Sequence, residues 1–155
     1  MNGPAHTPGH NARPPKRIAS GAPADPESLE RHPDYREGWR LFQGGYPWEA
    51  HEAWEDVWRT LPPGSAERVL TSALIRLAAA AVKARQRNRV GLEHHLTGAA
   101  AHLGTLGPKP VGGILPTELA RWIGSIHHEA WLDAGPDEPG PIVELPPGAC
   151  PGVIG

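Results

Sequence analysis

The chain reads as all-α, a compact bundle of about five helices, and three observations predict this. Apolar residues recur every three or four positions in five successive segments. Gly44-Gly45, Pro62-Pro63 and Gly107-Pro108 punctuate those segments. No stretch shows the regular alternation of a half-buried strand or the strand-then-helix order of a parallel sheet.

The first helix is placed at about 34–43, with Tyr35, Trp39 and Phe42 at helical spacing before the Gly44-Gly45 break. The second starts at Pro47, whose missing N–H costs nothing at a first helical position, and runs to about Thr60. Ala50, Trp54, Val57 and Leu61 form its core stripe, lying within about 60° of one another at 100° per residue. Ser65 is a suitable N-cap for the third helix, which continues to about Arg87. Arg76 is the one charge between Ala73 and Val82, so this helix is apolar nearly all round and should be central.

The fourth helix, about 89–106, aligns Leu92, Leu96, Ala99, Leu103 and Leu106. A fifth begins near Thr117 with Leu119, Trp122, Ile123 and Ile126 on one side, and either extends to Trp131 or breaks before it. Short connections between the second, third and fourth helices imply antiparallel neighbours.

Composition sets the domain plan. Of 19 prolines, seven lie at or before Pro33 and six at or after Pro136, whereas all six tryptophans fall between Trp39 and Trp131. Residues 1–33 therefore read as a disordered leader, 34–133 as the helical domain, and 134–155 as an extended Pro/Gly-rich tail in which Ile142, Val143 and Leu145 could pack back. A formal charge of −2, from 15 basic and 17 acidic residues, supplies no stripe to neutralise phosphates, so nucleic acid is not an expected partner.

Arg13, Lys16 and Arg17 form only a small basic cluster. Neither a long apolar run nor a secretory leader is present, so the expectation is a cytoplasmic protein with no membrane partner. Cys150, between prolines and without a neighbouring base, is expected to be a bystander.

The chemistry concentrates in His51-Glu52-Ala53-Trp54-Glu55-Asp56. His51 and Glu55, four apart, project from one side of the second helix, with Glu52 between them. Zinc hydrolases place two histidines at this spacing with a glutamate as general base. Here the ligands would be His51 and Glu55, joined by His95 or His102 from one edge of the fourth helix, with Glu52 as the catalytic base.

The alternative is a structural polar cluster in which Glu52 or Glu55 neutralises Arg76, because an isolated buried charge is very costly. The segment recurs as His128-Glu129-Ala130-Trp131-Leu132-Asp133, with Leu132 in place of the second glutamate, and two copies alone do not make a repeat architecture. Trp39, Trp48, Trp54 and Trp58 could form an aromatic cage for a cation, although core bulk is their simpler role.

The run from Phe42 to Arg59, Phe-Gln-Gly-Gly-Tyr-Pro-Trp-Glu-Ala-His-Glu-Ala-Trp-Glu-Asp-Val-Trp-Arg, resembles the signature of an uncharacterised bacterial and archaeal family catalogued as domain of unknown function 309. A looser similarity continues through Ala73 to Ala80, Lys83, Asn88 and Gly91, covering about 34–106 in all. The family pattern commonly has glutamine where Arg76 stands and often histidine near Lys83. The resemblance implies a compact all-helical fold and a suspected site at His51, Glu52, Glu55 and Trp58, without an agreed reaction.

Together these readings predict a non-catalytic module for a small molecule or partner protein, with a cluster of His51, Glu52, Glu55, Trp58, Arg76 and Lys83 and no expected cofactor. The competing expectation is the metal-dependent hydrolase, with a divalent ion on His51, Glu55, His95 or His102. Self-association into a homo-oligomer is a third.

Overall fold

The computed structural model describes residues 19–133. The basic cluster at Arg13, Lys16 and Arg17, the Pro/Gly-rich tail and Cys150 lie outside the described residues.

The helices begin where the sequence supplies N-terminal chemistry. In α1 (Pro33–Gln43), Pro33 occupies the first turn and the His32 ring accepts from the Asp34 N–H, completing a donor that the helix leaves open. Pro47 opens α2 (Pro47–Trp58). Ser65 caps α3 (Ala66–Arg85) by accepting from the Arg68 N–H, and Asn88 caps α4 (Arg89–Gly104) by accepting from the Gly91 N–H.

The fifth segment breaks. Helix α5 (Pro116–Gly124) stops at Ser125, and α6 (His128–Asp133) is a separate short turn. Trp131 nevertheless reaches the core at 6 % exposure and lies 6.3 Å from Trp122, ring centre to ring centre. Among the described residues the only β pairing is an isolated bridge between Val111 and Ile114, so the fold is all-α.

Helix α3 is the centre, packed against α2, α4 and α6, while α1 lies on α2 and α5 on α4. Its expected core residues Leu70, Ala73, Leu74, Leu77, Ala78 and Ala81 are all buried, as are Ala50, Trp54, Val57 and Leu61 of α2. Trp39 and Trp54 are fully buried and meet edge to face at 5.3 Å with Phe42 beside them. They are core residues and do not form walls of an aromatic cage.

The stretch before Pro33 departs from the expected leader. Pro26–Arg31 winds into a 3-10 turn that buries Leu29 completely. Ser20 donates to the Asp34 carboxylate, and the His32 ring nitrogen Nε2 lies 2.9 Å from the Ala22 carbonyl. The buried leucine and these bonds tie the strap to the start of α1, so structure begins ahead of the boundary that composition suggests.

Candidate binding groove on α3

A helix repeats its faces every three or four residues, and three such faces converge here. Trp48, His51, Glu55 and Trp58 share one side of α2, next to the core stripe. Ser72, Arg76, Ala79, Lys83 and Gln86 share one side of α3. Gly91, His95, Gly98 and His102 share one side of α4, as the expected orientation of the two histidines requires. All but Ala79, Gly91 and Gly98 carry polar or aromatic side chains, and these positions are half-buried throughout.

Two clefts open along this surface. The larger, about 200 Å³, is lined by Glu55, Trp58, Ser72, Ile75, Arg76 and His102. The smaller, about 120 Å³, is lined by Trp48, His51, Ala79, Val82, Lys83 and Gln86. His51 and Glu55 link them, with Nδ1 3.6 Å from Oε1.

Each wall is held in place by identifiable contacts. The His51 ring lies parallel to Trp48, 5.6 Å between centres. Trp58 donates from Nε1 to Ser72 Oγ at 2.9 Å while the Arg68 guanidinium covers its ring at 3.9 Å, a cation–π contact. Glu55 is also 3.7 Å from Arg59, so its charge is shared between His51 and Arg59.

Arg76 does not join the glutamates. Its guanidinium crosses onto α4 and Nη2 donates to the His94 carbonyl at 3.3 Å. Gly98 makes this crossing possible, since a Cβ there would overlap the guanidinium. Lys83 crosses in the same way over Gly91, where a Cβ would fall 2.8 Å from Lys83 Cγ and 2.9 Å from Cδ. Among the described residues neither Arg76 nor Lys83 forms an ion pair.

His95 sits between the two crossings, four residues after Gly91 and three before Gly98. Burial holds its imidazole below the ordinary histidine range, and the positive charges of Arg76, His94, Lys83 and His51 push in the same direction.

The proposed metal ligands are not gathered. His102 lies in the larger cleft with Glu55, His51 lines the smaller one, and Glu52 lines neither. Among the described residues, no three His, Cys, Asp or Glu side chains are arranged to hold an ion. In the recurring segment, Glu129 pairs with Arg89 and His128 is 3.8 Å from Glu93, joining α6 to the start of α4.

A buried charge network went unread in the sequence. Arg85, 1 % exposed, donates from Nη2 to the Gly45 carbonyl at 2.7 Å. Burial lowers its pKa to about 10, opposed by the charge of Glu49, itself 3 % exposed. The same burial and Glu49 raise the Tyr46 phenol. The available signal was register, because Arg85 continues the core stripe Leu74, Leu77, Ala78 and Ala81. Gly91 and Gly98 were likewise legible as the small residues in register with His95 and His102.

Residues 35–94 match the family described as a domain of unknown function (DUF309). The match spans α1, α2, α3 and the first turns of α4, which include both walls of the smaller cleft. No curated protein and no solved structure matches the chain. Among the described residues no helix is long and apolar enough to cross a membrane.

Proposed function

We propose that this protein is a non-catalytic binding module whose ligand lies in the groove that α3 floors and α2 and α4 flank. The observation that carries this reading is the pair of linked clefts lined by half-buried polar and aromatic side chains from successive helices. Concave sites that combine an apolar floor with a few placed polar groups are the usual form of small-molecule pockets. Ala79 and Val82 supply the floor, and Lys83, Gln86, Ser72 and Arg76 supply polar ends.

The lining supports holding over reacting. Glu55 is the one carboxylate lining the two clefts, and it is engaged by His51 and Arg59. A general base needs reach to its proton and freedom to accept it, and Glu52 has no place in either cleft.

A small fragment set, neutral and charged, screened against the ¹⁵N-labelled full chain by amide chemical shifts tests the proposal. The expected perturbations cluster within 48–58, 72–86 and 91–102, and Ala79→Phe, which fills the floor, removes them. Perturbations spread over α1 and α5, or unaffected by Ala79→Phe, would refute it.

A further inference from the structure

We infer that the part of this groove between Arg76, His95 and Lys83 seats an anionic oxygen group, carboxylate or phosphate, of a small molecule. The inference rests on the groove being a binding site and adds the chemistry of what it binds.

Two cations lie on one face of α3, and among the described residues neither forms an ion pair. Arg76 and Lys83 are seven residues apart on α3, about 10 Å along its axis at 1.5 Å per residue, and both lean across α4. Gly98 and Gly91, also seven apart, are the positions they cross. Gly98 lies in the interior of α4, where glycine is disfavoured relative to alanine, and the crossing of Arg76 requires it there. Half-buried cations ordinarily find carboxylates, yet the one carboxylate lining the clefts, Glu55, lies against His51 and Arg59 instead.

Hydrogen-bonding capacity is open on two of these side chains. Arg76 Nε and His95 Nδ1 are both buried without a hydrogen-bond partner among the described residues. An N–H facing an oxyanion makes a shorter and stronger bond than one facing a neutral acceptor, and guanidinium suits carboxylate and phosphate alike. Burial is the main reason His95 binds its proton weakly, and the charges of Arg76 and Lys83 add to it. An anion between Arg76 and Lys83 would supply the missing charge, while the aromatic and apolar walls at Trp48, Ala79 and Val82 take the rest of the molecule.

The test titrates the ¹⁵N-labelled full chain at neutral pH with sodium phosphate in one arm and sodium succinate in the other, at ionic strength held constant with sodium chloride. The expected result is saturable movement of the amide signals of Ala79, Lys83, Gly91, His95 and Gly98 in at least one arm, and the arm that responds identifies the anion type. Arg76→Gln and Lys83→Gln each weaken the apparent affinity about tenfold or more. Gly98→Ala keeps every charge but displaces the guanidinium, and weakens it comparably even if the Arg76 variant fails to fold. Arg121→Gln, an exposed charge on α5, leaves it unchanged.

No saturable response in either arm, or a response indifferent to Lys83→Gln and Gly98→Ala, overturns the inference. If fragments still gather in the groove while both anions fail, the anion assignment alone is lost. If nothing gathers there, the binding-module reading falls with it.

Discussion

Replacing Gly98 by alanine sets two effects of similar size against each other, and their balance reveals whether Arg76 lies where the structure places it. Alanine in a helix interior is favoured over glycine by about 1 kcal/mol. The new methyl must expel the guanidinium, which gives up its bond to the His94 carbonyl at 3.3 Å and its packing over α4. A bond from a charged donor is worth about 1.5 kcal/mol, so Gly98→Ala alone should destabilise by about 0.5 kcal/mol. In an Arg76→Ala background the expelled group is absent, and the same change should stabilise by about 1 kcal/mol.

The coupling across this double-mutant cycle is therefore about 1.5 kcal/mol, well above the scatter of roughly 0.3–0.5 kcal/mol seen for independent sites. Urea unfolding of the four proteins, followed by both tryptophan fluorescence and far-UV circular dichroism, measures it, with coincident transitions confirming two-state behaviour. A coupling under about 0.5 kcal/mol would refute the crossing of Arg76 over α4.

Three other perturbations probe separate parts of the molecule. Gly38→Ala puts a Cβ 2.7 Å from Cε2 of the fully buried Trp54, whose indole donates to the Tyr35 carbonyl at 3.2 Å, and should lower stability by about 2 kcal/mol; an unchanged urea midpoint contradicts this. Glu49→Gln leaves the buried Arg85 without its opposing charge and should cost about 3 kcal/mol, whereas Glu49→Met with Arg85→Met should cost less than that single change. His95 binds its proton more weakly when folded than when unfolded, so the stability it confers is complete above about pH 6.5 and is lost as pH falls through its lower folded value. Its imidazole titration, followed by NMR, should have a midpoint below 6.5 that rises in Lys83→Gln, and an unmoved midpoint would sink the electrostatic coupling.

The helices were legible because their signals are local. Periodicity, Pro47 at a first turn, Ser65 as a cap and Gly44-Gly45 as a stop act within a few residues, so the observed boundaries of α1 to α4 fall close to the expected ones. Where a distant partner decided the outcome, local reading stopped short. The break at Ser125 lets Trp131 turn back toward Trp122, and the burial of Leu29 depends on helices that the leader's composition does not describe.

The same division holds for the candidate site. From the sequence alone come the all-α class, the shared edge of His95 and His102 on the fourth helix, and the placing of His51 and Glu55 on one side of the second. Only the tertiary structure decided the role of Arg76. A charge within an apolar helix must be satisfied, which the sequence makes plain, but it does not say whether a carboxylate on α2 or a carbonyl on α4 satisfies it. The packing of α4 against α3, with glycines at the crossings, turns the guanidinium away from Glu55 and toward His94. Helical spacing settles which side chains share a face, and the helix lying opposite settles what they meet.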